Sequence, residues 1–214
     1  RSVCVIGRFV EKKGYEYLIK AAEYLQDKEI VVNIYGYGQL EEEYKDLIQS
    51  KNLPNVKLHG ELNGTKDIIK VFQKNDLFIQ PSVRASNGDM DGIPTILIEA
   101  MSFGIPVMTT SISSIPELVQ DGINGVYIKP DAKDIAEKIK SFYDLTEMKI
   151  STIVENAKLK VDTFFDLSSL MNYNIRLWKG TSLDVVIVTY NNLPEIQEVL
   201  KRLLIFSKTK IRIN

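Results

Sequence analysis

The sequence has 214 residues, 44% hydrophobic and 26% charged, which excludes disordered and low-complexity classes and suffices for a core without covalent staples. Lys and Arg number 27 against 28 Asp and Glu, a formal charge of −1, so no basic excess points to a nucleic-acid partner. Cys4 and His59 are the only cysteine and histidine, which excludes a Cys/His zinc site and a disulfide framework.

The chain opens directly in a strand-like run, as a segment of a longer protein would. That opening, RSVCVIGRFV, is interrupted by Gly7 and Arg8 and does not read as a signal peptide. No apolar run approaches the ~18 residues of a membrane span, and a cytoplasmic setting is expected. Strands are expected at Val3–Ile6, Ile30–Tyr35, Val56–His59, Leu77–Gln80, Pro106–Thr109 and Gly125–Ile128. Between and after them the periodicity predicts helices at Gly14–Leu25, Leu40–Ser50, Lys66–Lys74, Thr95–Phe103, Pro116–Gln120 and Ala132–Tyr143. Continuously apolar runs such as VVNIY suit strands covered on both faces. Strand–helix alternation then predicts a parallel, Rossmann-like sheet flanked by helices. From about residue 146 to 179 the pattern is helical, with no strand-like run until Leu183.

In such a sheet ligands gather at the carboxyl ends of the strands. After the first strand, Gly7-Arg8 and Lys12-Lys13-Gly14 place cations just before a helix. That pattern suits a diphosphate, although a solvated basic loop would read the same way. Gly36-Tyr37-Gly38 lacks the third glycine of a dinucleotide fingerprint, Glu41 standing there, and reads as a tight turn. Asn87-Gly88-Asp89-Met90-Asp91-Gly92 resembles an EF-hand opening, but its twelfth position is Ile98 and not Glu. Asp89-x-Asp91 alone is a weak metal signal, and no metal ligand set is assigned. Asp91 and Glu99 are eight residues apart. With Pro94 as the first helical residue they would bracket a helix N-terminus and could grip a polyhydroxyl ligand while the helix dipole faces its phosphate. Gly92 lets the backbone approach closely. Glu99 lies in the apolar stretch PTILIEAM, where burying an unpaired carboxylate would be costly, which marks it as functional. His59 ends a strand and reads as a hydrogen-bonding wall residue; Cys4 reads as an inert core residue.

The ordered elements GRFVEKKG, YGYG, LHG and DGIPTILIEAMSFGIPVMTTSISSIPELVQDGINGVYI resemble the C-terminal domain of a group 1 glycosyltransferase, family 4, with the GT-B fold. The resemblance covers roughly residues 1–178, and the DGDMDGIP-like loop is similar to that of exopolysaccharide (colanic-acid-type) members. The family's E-x7-E element is here D-x7-E, Asp91 to Glu99. The resemblance implies that Arg8 and Lys13, at the Gly7 turn, bind the donor diphosphate. It implies that the Thr95 and Ile96 amides after Pro94 meet the phosphate, that Glu99 holds the ribose, and that Asp91 faces the donor sugar. Gly36 and the loop after His59 would line the nucleotide site. It further implies a retaining transferase that needs no metal or other cofactor and uses a UDP- or GDP-sugar. The glycan or lipid-linked glycan acceptor would be bound by an N-terminal domain not present here, with peripheral membrane association of the whole protein. The 214 residues alone would then bind donor without transferring sugar.

Domains are expected at 1–180, the nucleotide-sugar-binding unit, and at 183–214. The second stretch, LDVVIVTYNNLPEIQEVLKRLLIFSKTKIRIN, resembles the opening strand and helix of a family 2 (GT-A) glycosyltransferase. Competing readings are half of a sugar-nucleotide epimerase, or a non-catalytic nucleotide-binding or scaffold domain.

Overall fold

The computed structural model describes residues 1–165. Six strands, β1 (Ser2–Ile6), β2 (Val31–Tyr35), β3 (Val56–His59), β4 (Leu77–Gln80), β5 (Val107–Thr109) and β6 (Val126–Tyr127), form one parallel sheet in the order β3-β2-β1-β4-β5-β6. The expected strands are all present, shifted by a residue or two at some ends.

Alternation along each strand divides the sheet into two faces. Val3, Val5, Val32, Ile34, Leu77 and Ile79 are buried on one face. Over them pack α1 (Tyr15–Ala21), α2 (Glu41–Ser50) and α6 (Ala132–Tyr143), through Tyr15, Leu18, Ile19, Tyr44, Ile135 and Ile139. Cys4, Ile6, Phe78 and Val107 are buried on the opposite face. They meet α3 (Thr65–Lys74), α4 (Thr95–Phe103), α5 (Ile115–Leu118) and α7 (Glu147–Phe164), through Phe72, Leu97, Met101, Leu118 and Val161. Cys4 is fully buried, and burial pushes its thiol pKa up, consistent with an inert core residue.

Several helix bounds differ from expectation. The first helix is α-helical only to Ala21 and tightens into a 3-10 segment over Ala22–Lys28, ending at Glu29 with φ 53°. The fifth stops at Leu118 because Val119 is extended, and Asn124 caps the turn by accepting from Gln120 N at 2.7 Å. The expected helical trailer is present as α7; its continuation and the 183–214 resemblance lie outside the described residues.

Chain order places the functional rim. β1 to β3 build outward in one direction, and the chain then returns to lay β4 on the other side of β1. The chain leaving β1 therefore passes to α1 on one face of the sheet and that leaving β4 to α4 on the other, at a topological switch point, the place where open α/β sheets take ligands.

Candidate functional site

The β1 rim is an extension of the sheet rather than a floppy loop. Beyond β1, Gly7 N donates to Tyr35 O (3.0 Å), Phe9 N to Tyr37 O (2.7 Å) and Leu40 N to Phe9 O (3.1 Å). This approach needs Gly36, whose φ is 141°; a Cβ there would lie 1.9 Å from the Gly7 carbonyl oxygen. Gly36-x-Gly38 is thus the tight turn expected, and its glycines seat the Gly7–Phe9 segment. Arg8 projects from this seat, exposed and without a carboxylate partner among the described residues. It lines a cavity of about 180 Å³ with Glu11, Lys12, Gln39, Asn87 and Asp89. Beneath the Gly7 turn the Tyr15 hydroxyl is fully buried and unpartnered, and burial pushes its pKa up.

The β1 and β4 loops are clamped together by charge. Glu11 accepts from Ser86 N (2.7 Å) and Ser86 Oγ (2.8 Å). Val83 N donates to Lys12 O (2.9 Å). Lys12 Nζ lies 3.1 Å from Asp89 Oδ2 and 3.3 Å from Asp91 Oδ1, while Lys13 Nζ takes Asp91 Oδ2. Hydrogen bonding, first to Asp89 and then to Asp91, holds the Lys12 ammonium above its ordinary pKa. The DxD carboxylates are therefore occupied by lysines, and no three-carboxylate or Cys/His metal group exists among the described residues.

α4 spans Thr95–Phe103 as expected, but Pro94 and Glu99 take other places than the site reading gave them. Pro94 is the N-cap, with ψ 125°, and Thr95 is the first helical residue. Proline offers no side-chain oxygen, so no side chain caps the first-turn amides. Glu99 is exposed: α4 buries Leu97, Ala100 and Met101 and turns Glu99 to the other side. The burial argument for Glu99 therefore fails, because neighbouring apolar letters belong to a different helical face. Glu99 instead lines an open groove of about 420 Å³ between α3, α4 and α7, with Thr65, Ile98 and Ser102. The structure thus groups Arg8, Lys13 and Asp91 around the β1 and β4 loops, and sets Glu99 on the exposed side of α4, eight residues beyond Asp91.

His59 is a wall residue, as expected. Its ring stacks on Tyr35 at 4.2 Å and 9°, and Nε2 lies 3.0 Å from Asn33 Oδ1. Asn33 in turn donates to Asn75 Oδ1 at 2.8 Å. Partial burial, and secondarily Lys57, lowers the His59 pKa. Sequence reasoning missed this network, although an asparagine inside VVNIY was its visible signal. Gly92 meets nothing within 4 Å of a built Cβ, so its loop is open there.

A family profile described as Glycosyl transferases group 1 matches residues 1–160. The chain belongs to this family. Among curated group 1 relatives it is 34% identical over 166 residues to the amylovoran biosynthesis glycosyltransferase AmsK of Erwinia amylovora, covering 75% of this chain and 40% of that protein. It is 32% identical over 164 residues to Escherichia coli K12 WcaL, assigned as a colanic acid biosynthesis glycosyltransferase, with 75% and 40% covered. The chain therefore spans about 40% of the length of these relatives. A crystal structure of Alr3699/HepE from Anabaena in complex with UDP superimposes with a TM-score of 0.71 at 24% identity, covering 84% of this chain and 49% of that one. This likeness establishes the GT-B Rossmann-like half as the fold. Within this group 1 domain, the Glu11–Ser86 and Lys12–Asp89 links were the other features sequence reasoning missed; their partners lie 75 and 77 residues apart in the chain.

Proposed function

We propose that this chain is the donor-binding half of a retaining, metal-independent glycosyltransferase that builds a polysaccharide or other glycoconjugate from a UDP- or GDP-sugar. The observation that carries the reading is an Arg8 without a carboxylate partner among the described residues, held on a sheet-like rim at the switch point, with neighbouring Lys13 joined to Asp91 in the loop that leads into the uncapped first turn of α4. When the bond from the anomeric carbon to the diphosphate breaks, negative charge grows on the departing phosphate. Arg8, Lys13 and the Thr95 and Ile96 amides would stabilise it without a metal. Asp91 would face the donor sugar, Glu99 the ribose, and the loop after His59 the base. The Anabaena neighbour's bound UDP supports a uridine donor, and the names of the two relatives support an exopolysaccharide product.

The acceptor, a glycan or lipid-linked glycan, would come through a second Rossmann-like domain of the full protein, in the cytoplasm or at the inner face of the membrane. No helix of the described residues is long and apolar enough to cross a membrane. Residues 1–180 would form the donor unit, and 183–214 would open a family 2 domain. Calorimetry with UDP and GDP, each repeated in EDTA, tests the donor site. Saturable binding unchanged by EDTA is expected. Absence of binding to both nucleotides would favour the scaffold reading, and loss in EDTA would refute metal independence.

A further inference from the structure

Asp91 divides its carboxylate between two ammonium groups. Oδ1 is 3.3 Å from Lys12, and Oδ2 is bonded to Lys13. All three side chains are largely shielded, with 17%, 13% and 15% exposure for Lys12, Lys13 and Asp91. Lys13 therefore cannot serve a diphosphate at full strength while Asp91 holds it. If it moved alone, a shielded carboxylate would be left unpaired beside the incoming phosphates, an arrangement of like charges in a poorly solvated place.

Lys12 answers both difficulties. Its backbone is locked in the 3-10 turn Glu11–Lys13, by Val83 N donating to its carbonyl and by Ser86 gripping Glu11 next to it. Its ammonium sits between Asp89 and Asp91. We infer that Lys12 is a positioning residue: it keeps Asp91 neutralised and in place while Lys13 passes from Asp91 to the diphosphate of the donor. The inference rests on the donor-site reading above and adds a residue to which that reading assigns no part. Asp89, 54% exposed, anchors Lys12 from the solvent side.

A double-mutant cycle on the 214-residue chain tests it, with UDP, GDP, uridine and guanosine as probes. Lys12→Met is expected to weaken the bound nucleoside diphosphate roughly five- to tenfold, because Asp91 then has Lys13 as its remaining counter-ion. The nucleoside should be unaffected, and Lys12→Arg should restore most of the loss. In an Asp91→Asn background Lys12→Met should have no effect, since no carboxylate competes for Lys13. Equal loss in both backgrounds would mean that Lys12 touches the diphosphate itself and would overturn the inference. So would equal loss for nucleoside and diphosphate, which would mark a merely structural role. If the unaltered chain bound neither UDP nor GDP, the donor-site reading would fall, and this inference with it.

Discussion

Replacing Gly36 with alanine would separate the rim from the sheet that supports it. At φ 141° the residue occupies backbone space that side-chain-bearing residues rarely enter, a cost of roughly 1–3 kcal/mol. The new Cβ would lie 1.9 Å from Gly7 O, 2.9 Å from Gly7 C and 3.2 Å from Phe9 Cε1. The two nearest atoms are backbone and cannot rotate away, so overpacking adds about 1–3 kcal/mol more. The total of about 2–6 kcal/mol is a large part of a typical domain stability, and it falls on the turn that carries Arg8. Gly60→Ala is the control, because nothing lies within 4 Å of its built Cβ. Thermal unfolding followed by circular dichroism, with UDP titration, measures both effects. Gly36→Ala should lower the melting midpoint by at least about 5 °C and weaken UDP, while Gly60→Ala should change stability by less than about 1 kcal/mol. A Gly36→Ala protein melting within about 2 °C of the parent would show that the Gly7 carbonyl yields freely, and the account of a rigid rim would be wrong.

Two further measurements address the site. Arg8→Ala should weaken UDP by roughly 1.5–3 kcal/mol and leave uridine nearly unchanged, whereas Glu99→Gln should weaken both; equal loss of uridine and UDP in Arg8→Ala would contradict the phosphate role. The His59 pKa is lowered from its ordinary 6.5 on folding, so its contribution to stability is complete above that value and is lost as pH falls through the folded pKa. Urea midpoints measured from about pH 7.5 to pH 5 should therefore fall less steeply for His59→Gln than for the parent; parallel curves would sink the argument.

The strands were legible because each is a short apolar run bounded by polar or glycine-containing turns, and a sheet covered on both faces requires such runs. Gly104, with φ 97° at the C-cap of α4, likewise ended its helix where expected. The burial expected of Glu99 did not hold because the helical period, and not the surrounding composition, decides which side a residue takes. The pairing of Glu11, Lys12 and Lys13 with Ser86, Asp89 and Asp91 was invisible for another reason. Both charged clusters stand plainly in the sequence, but only the switch in strand order that sets β4 beside β1 brings them together.

The rim carries two grades of constraint, and these bear on how its ligand preference could change. The β1 and β2 loops interlock through backbone atoms, so a substitution there disturbs neighbours that cannot adjust. The segment 60–63 is different: Gly60, Glu61 and Asn63 are exposed, and a built Cβ at Gly60 meets nothing within 4 Å. In the donor pose proposed above, the frozen part holds the phosphates, common to every nucleotide sugar, and the tolerant part faces the base, which distinguishes one donor from another. In that pose a lineage, or a protein engineer, could rewrite the base preference by exchanging residues 60–63 while leaving the grip on the leaving group untouched.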